Sequence, residues 1–593
     1  MISIIAIFFP AFVLIYIKEL IFKQTSDLKQ NIISYLLSVL MINLLMLTVL
    51  VVVFKSNENL VEKLNSYNNF ALKYIILALF FAIVIPFLEQ GIKTKNISVI
   101  LFKQKFTFKY WRCLALTYTI ILFTLNFIRI FDNNFWGDEG FTIRLAKMSI
   151  SDMLIATAED VHPPLYYFIT QIFCKILGFN GAVYHFISLI PYALILVVCL
   201  TIIWDLFGKE AALIVITLAS LLTNAIQYNV EVRMYSWGAL FVFLSFIFLY
   251  KILCFNRMID YFSFIVSSLA AAYTHYYCLI SVAFFYLTLF LIALIKERRL
   301  LFRIVITCIL TIIGYLPWFF VLLHTFQRTS DNYWMTSIPS FEECLCFLFY
   351  GKYQLILNII FLSVTIFYLL RESGVAIINR VYNQLYPFKI LIDFSAINIT
   401  PEIIWVLSGY LSIFGTIGVG LGLSHIIRPM FIVRYIFPVA TIAWVVMGIC
   451  ISKLPFKQYI SLSLICIILI GGLQEYYWIY KADKNANELL TNTLNVISGQ
   501  IQNEDQILTD VYHIDWTLVD VYYPGIKHQM LSASIYESLD ENLMYWVILT
   551  EKMNNDIATS FAEENFMCEC VVEEGNFGTL TVWVYKVYSG VNV

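Results

Sequence analysis

The sequence predicts an all-α polytopic membrane protein of about 14 transmembrane helices with a small C-terminal extracytoplasmic α/β domain. Three observations predict it. Of the 593 residues, 61% are hydrophobic and 13% charged, and the mean hydropathy is +0.80. Soluble chains average roughly 45–50% apolar and about 25% charged, and a single core stops growing near about 250–300 residues, so this excess belongs in a bilayer. Apolar runs long enough to cross about 30 Å of hydrocarbon recur along the chain. From Lys481 the composition changes to short apolar runs between polar stretches. With 38 basic and 40 acidic residues the net charge is −2, which gives no field to recruit nucleic acid.

The apolar runs fall near 2–17, 32–54, 71–89, 113–131, 184–206, 211–226, 235–254, 261–276, 278–295, 301–323, 353–370, 403–422, 432–451 and 458–478. Residues 1–110 read as extra N-terminal helices, 111–480 as a transmembrane core with an outer loop at 132–183, and 481–593 as the α/β domain. Helices are required because the closed pattern of roughly ten-residue alternating strands that marks a barrel is missing. Met1–Ile17 has no basic n-region and no small-residue cleavage site, so it reads as a retained span. In the tail, Gln506–Leu508, Tyr545–Thr550 and Thr579–Val587 read as strands, and Glu488–Ile501 and Ile535–Asn542 as helices. The insertion 372–400 is amphipathic and is expected on the cytoplasmic membrane surface.

Lys and Arg in short loops set the orientation. The segment 91–112 carries Lys93, Lys95, Lys103, Lys105, Lys109 and Arg112, and further clusters are Lys296, Arg298, Arg299 and Arg303, then Arg371, Arg380 and Lys389. These three loops read as cytoplasmic. Alternation then puts both termini, 132–183, 227–234, 274–278, 324–352 and 424–434 outside. Most of the 12 cysteines lie in spans; the C-x-C pairs Cys344/Cys346 and Cys568/Cys570 fall outside, where a disulfide is one reading and zinc is disfavoured by the spacing.

Charges at the edge of a membrane bundle are costly, so they are paired or functional. Asp138 and Glu139 leave the fourth span within Phe135–Phe141. After a stretch at helical spacing, Phe141–Ala158, which reads as one amphipathic interfacial helix, come Glu159, Asp160, His162, Pro163, Pro164, Tyr166 and Tyr167. The prolines stop that helix and turn the His162 segment back towards the two acids. Glu231, Arg233 and Tyr235 open the seventh span, His275 sits in a tight turn, and Arg428 and Arg434 precede the thirteenth span. Singly, each reads as an interfacial anchor before a catalytic group, and Glu231 with Arg233 as a structural ion pair. Their shared sidedness points to one cavity.

The ordered motifs W-x-D-E at Trp136, D-x-H-P-P-L-Y-Y at Asp160, E-x-R-x-Y at Glu231, T-H-Y at Thr274, L-P-W at Leu316 and R-P-x-x-x-x-R-Y at Arg428 resemble those of the polytopic GT-C glycosyltransferases. The nearest branch is the bacterial family 39/family 83 group, related to protein O-mannosyltransferases and the lipid A aminoarabinose transferase, and the likeness spans roughly residues 113–480. The resemblance implies transfer of a sugar from a polyprenyl-phosphate carrier to an acceptor hydroxyl of a cell-envelope glycan, lipid or protein, outside the membrane and with inversion. It makes Asp138 the candidate base, with Glu139 supporting the acceptor. His162 stands where the aminoarabinose branch has Lys in E-K-P-P-L, and Val161 replaces the Glu before it.

An acceptor hydroxyl needs a base and a leaving phosphate needs cations. Arg434, Arg428, Arg233 and His162 are therefore the donor-phosphate candidates, and Asp160, Glu231, Tyr235, His275 and Tyr166 the substrate-binding candidates. Asp160 and His275 are also candidates for a divalent metal ion, the one cofactor considered. A transporter, a glycan ligase or polymerase, and a membrane-anchored binding module are the rival readings. Charges gathered at one face, without repeated halves, favour the enzyme over the transporter.

Overall fold

The computed structural model describes residues 97–593 apart from 296–297, 329–334, 336, 374–375, 379–390, 394–398, 512–513, 515–517, 537 and 590–593. The expected spans 2–17, 32–54 and 71–89 lie outside the described residues. The chain divides into two compact units, Met1–Arg112 with Phe456–Ile470 and Cys113–Pro455 with Gly471–Val593. The described residues of the first unit are almost entirely helical. All candidate site residues belong to the second.

Nine helices among the described residues are long and apolar enough to cross a membrane: Trp111–Phe131, Gly181–Phe207, Tyr235–Phe255, Tyr276–Ile295, Leu300–Thr325, Gln354–Glu372, Pro401–Ile426, Val433–Ser452 and Lys457–Ser498. Two expected spans come out shorter. The run 211–226 breaks at extended Leu222 into Lys209–Leu221 and Thr223–Tyr228, and 261–276 becomes the 17-residue helix Met258–Thr274. The break leaves Asn224 free to donate to the Phe347 carbonyl at 2.7 Å, a partner that a continuous helix would hold elsewhere.

Burial sorts the helices into a centre and a rim. Phe437–Ser452 is buried at every residue, as expected of a helix apolar all round. It packs on Lys209–Leu221, Tyr235–Phe255, Pro401–Ile426 and Gln354–Glu372. Rim helices expose Ile312, Ile313 and Phe320, or Leu116, Ile120 and Ile121, as lipid-facing side chains would be. Gly448 lets the central helix approach Lys209–Leu221 closely, because a Cβ there would lie 2.9 Å from the Ala211 carbonyl oxygen.

The outer-loop stretch folds as two helices rather than one. Gly137–Lys147 ends at Met148, and Ser149 caps Ile150–Glu159 by accepting from Asp152 N at 3.1 Å. Ser149 offers its hydroxyl to the new helix end, which ends the single helix that the spacing suggests. Pro164 then stands at the cap of Leu165–Leu177. In the insertion, β1 (Ala376–Ile378) pairs antiparallel with β2 (Leu391–Asp393), and most of its other residues lie outside the described residues.

The last apolar helix does not stop at the tail boundary; it runs as one 42-residue rod, Lys457–Ser498, into the small domain. There β3 (Gln506–Thr509) pairs in parallel with β4 (Lys527–Met530) and β5 (Tyr545–Leu549). The antiparallel hairpin of β6 (Phe566–Phe577) and β7 (Leu580–Ser589) completes a five-stranded sheet of order β4-β3-β5-β7-β6. The expected helix over Ile535–Asn542 is a single turn, Ala533–Tyr536. All twelve cysteines are free, both C-x-C pairs included.

Replacing Gly448 with Ala should force the central helix off its neighbour and lower stability by about 1–3 kcal/mol, the usual cost of overpacking. A thermal unfolding scan of the purified variant checks this; an unchanged midpoint would show that the helices do not need this contact.

Candidate active site

Helix Trp111–Phe131 ends in a 3-10 turn, Arg129–Phe131, and the chain then runs extended through Trp136 before Gly137–Lys147 begins. Asp138 and Glu139 occupy the first turn of that helix, where exposed N–H groups favour acids. The approach to this turn is pinned from several sides. Arg129 pairs with Asp483 at 3.0 Å, and the Tyr522 hydroxyl accepts from Phe135 N at 3.0 Å while donating to the Asn133 carbonyl at 3.0 Å. Phe135 is buried against Tyr184 and stacked on His185 at 5.1 Å.

The two acids have different surroundings. Glu139 is buried, with one oxygen accepting from Trp136 N at 3.2 Å and the other from Val232 N at 2.8 Å. Burial, then the nearby Glu231 charge, push it up to about 8 against the opposing pull of the two N–H bonds. It ties the acid-bearing turn to the Glu231–Val232 segment. Asp138 is about one-quarter exposed and meets two guanidiniums, Arg434 Nη2 at 3.2 Å and Arg233 Nη2 at 3.8 Å.

Arg233 therefore pairs with Asp138, correcting the expected ion pair with Glu231. It is buried, donates to the Asp138 carbonyl at 3.1 Å, and lies within 3.4 Å of the Tyr167 hydroxyl. Arg434 projects from the turn Val433–Ile436 at the base of the fully buried central helix, so its origin is rigid. Its guanidinium lies over the Trp136 ring, 5.1 Å from the centroid. The Trp136 indole donates to Glu231 Oε1 at 3.2 Å. Glu231 is buried and raised to about 7, chiefly by burial, with Arg434 and Arg233 opposing.

A second group adjoins the first. His162 and Asp160 share a 3.0 Å hydrogen bond, in which a proton on His162 Nδ1 points at the carboxylate. Burial raises Asp160, but the His162 bond and charge outweigh it and hold the carboxyl below its usual range. The His162 and His275 rings lie 5.6 Å apart, and His275 is 5.9 Å from Tyr235 and 4.8 Å from Tyr435. His275 Nδ1 accepts from Tyr277 N at 3.2 Å, so its neutral ring carries the proton on Nε2. Among the described residues no three His, Cys, Asp or Glu side chains gather to hold a metal ion. Asp160 and His275 are thus not joined by a third such side chain among the described residues.

The structure thus brings together Asp138, Glu139, Glu231, Arg233, Arg434 and Tyr235, with Asp160, His162 and His275 alongside. Tyr166 is buried and shares a 3.1 Å hydrogen bond with Ser188, and its neighbour Tyr167 is the one that reaches Arg233. Arg428 is partly buried on the chain six residues before Arg434. Trp136, Tyr167 and Tyr435 were not named as site residues from the sequence. Trp136 had a signal, since it stands in the W-x-D-E motif; the choice between adjacent tyrosines had none.

Residues 161–324 match the family model described as dolichyl-phosphate-mannose-protein mannosyltransferase. No curated protein matches the chain. Among solved structures the chain is similar to ArnT from Cupriavidus metallidurans. The apo form has a TM-score of 0.54 at 12% identity, covering 81% of this chain and 98% of that one. The form bound to undecaprenyl phosphate gives 0.52 at 12% identity, covering 80% and 98%. The fold is the GT-C fold that the motifs imply.

Because Glu139 is raised from 4.5 to about 8, its stabilising contribution is full below about 4.5 and lost as pH rises through about 8. Glu139→Gln keeps one accepting oxygen and should cost about 1 kcal/mol. Its deficit against wild type, followed by thermal unfolding, should be largest near pH 5 and shrink towards pH 9; a pH-independent deficit would contradict the burial of an acid there.

Proposed function

We propose that this chain, a polytopic membrane glycosyltransferase of the GT-C superfamily, moves a sugar from a polyprenyl-phosphate carrier to an acceptor hydroxyl. The acceptor belongs to a cell-envelope glycan, lipid or protein. The observation that carries the proposal is the meeting of Asp138 with Arg434 and Arg233. One carboxylate and two guanidiniums, partly open to solvent, supply the base and the anion-binding charge that the reaction needs. The neighbour from Cupriavidus metallidurans has been solved with undecaprenyl phosphate, which supports a lipid-linked donor.

In this reading the donor phosphate competes with Asp138 for Arg434. Binding of the donor draws the guanidinium away and releases Asp138 to face the acceptor. The acceptor oxygen forms a bond to the anomeric carbon as its proton passes to Asp138. The bond from that carbon to the phosphate oxygen breaks, its electron pair leaves with the phosphate, and Arg434 meets the growing charge. Attack from the face opposite the phosphate inverts the sugar carbon. Trp136 holds Arg434 from one side, and Arg233 fixes the Asp138 backbone. His162, paired with Asp160, is a second cation at the phosphate when protonated.

The site and the C-terminal domain are assigned to the extracytoplasmic face on the loop charges of the sequence. Single cysteines at 105, 140 and 500 test this in intact cells: an impermeant maleimide should label 140 and 500 and spare 105, and the reverse pattern would place the chemistry in the cytosol.

Asp138→Asn should fold and insert yet cut transfer by at least about a hundredfold, the scale for losing a general base. Arg434→Ala should weaken binding of bare polyprenyl phosphate by about tenfold, the scale of a charge-assisted contact. Mass spectrometry of envelope glycans and lipid-linked sugars, with and without the protein, supplies the readout. Loss of one decoration with accumulation of one sugar-bearing carrier would identify both substrates, and full complementation by Asp138→Asn would remove it as the base.

A further inference from the structure

The C-terminal domain meets the chain at both ends of the acid-bearing helix Gly137–Lys147 through one short turn, Val519–Tyr522. At the near end, the Tyr522 hydroxyl accepts from Phe135 N and donates to the Asn133 carbonyl, each at 3.0 Å. At the far end, Lys147 donates to the Asp520 carbonyl at 3.4 Å, and Arg144 lies 4.0 Å from the Asp520 carboxylate. Val519 is fully buried in the core that also holds Phe135, Ile143 and Ala146.

The two ends are not held alike. Arg144 is 32% and Asp520 37% exposed, and an ion pair at 4.0 Å in that setting contributes little. A cavity of about 280 Å³ beside them, lined by Lys147, Met148 and Pro524 among others, leaves this end of the seam loosely packed. The near end is tighter. The Tyr522 ring stands edge-on to Phe577 at 5.2 Å and lies 6.5 Å from the Phe135 ring. Gly578 comes so close that a Cβ there would lie 2.5 Å from the Phe135 carbonyl oxygen. One hydroxyl thus serves a backbone donor and a backbone acceptor two residues apart, in a segment that belongs to no helix or strand.

Asp138 follows Phe135 by three residues, on a helix outside the spans. Its two cationic partners come from separate turns beside the buried centre. The placement of the carboxylate relative to them therefore depends on the segment that Tyr522 holds. A misplacement of about 1 Å at a reacting group can cost about a hundredfold in rate.

We infer that Tyr522 is a positioning residue for the transfer: its hydroxyl, supplied by the C-terminal domain, fixes the segment 133–135 and through it the aim of Asp138 at the acceptor. The inference rests on Asp138 being the base, as proposed above. Acting through Asp138, Tyr522 governs the rate of transfer and not the binding of the donor.

The test is a double-mutant cycle on the purified full-length chain in nanodiscs. Mannosyl, glucosyl, galactosyl and arabinosyl undecaprenyl phosphates serve as donors, and the envelope fraction of a strain lacking the protein serves as acceptor. With the ester that wild type uses, Tyr522→Phe should lower kcat about tenfold and leave KM for the donor within about twofold. Phe keeps the ring against Phe577, so only the two hydrogen bonds are lost. Binding of bare undecaprenyl phosphate, which reports on the arginines, should also stay within about twofold. In the Asp138→Asn background the same substitution should cost less than about twofold, because no base is left to aim. Asp520→Asn, at the loosely held end, should leave kcat within about twofold. An unchanged kcat in Tyr522→Phe, an equal loss in both backgrounds, or an equal loss from Asp520→Asn would overturn the positioning role. Full activity of Asp138→Asn would instead overturn the base, and the absence of transfer by wild type from every ester would overturn the donor reading; the inference falls with either.

Discussion

Charges at the margin of a hydrocarbon-spanning bundle must answer one another, since water is too scarce there to solvate each alone. Asp138 and the two guanidiniums of Arg233 and Arg434 meet that requirement with one carboxylate serving two cations. The remainder of the cluster follows from it. Glu139 bonds backbone N–H groups on both sides of the meeting point, and Trp136 bridges Arg434 and Glu231. Around Asp138 itself, two guanidiniums meet one carboxylate, with Glu231 held a step away by Trp136.

Rigid parts hold the cluster. Arg434 rises from a helix buried along its whole length, so its backbone has nowhere to move. Glu231, Arg233 and Tyr235 sit on a turn whose neighbouring helices belong to the buried centre of the bundle. Asp138 is on a short helix outside the spans, and the chain leading to it is steadied by the Tyr522 hydroxyl, which accepts from Phe135 N and donates to the Asn133 carbonyl, and by the packing of Phe135. The cations come from turns beside the buried centre and the carboxylate from the first turn of a helix outside the spans.

Much of this was legible in the sequence because long apolar runs have one solution in lipid. The nine candidate spans coincide with expected runs, and the motifs around Trp136, Asp160, Glu231, His275 and Arg434 do converge. What the sequence hid was local or long-range. The break at Leu222 and the cap at Ser149 depend on which side chain captures a backbone group, and hydropathy does not register that. Arg233 chose Asp138 over Glu231, two residues away, because a tertiary contact outbid sequence proximity. Strands β4 and β6 were missed because Lys527–Met530 is mostly exposed and polar, and because β6 carries bulges that spoil its alternation.

The core beneath Phe135 also contains Ile507, Trp546, Phe577, Val582 and Val584, contributed by the far end of the polypeptide. The loop that presents Asp138 thus rests in part on the β6–β7 hairpin. Disturbing the β6–β7 hairpin would therefore reach the Asp138 loop through Phe135 without touching a charged residue of the cluster.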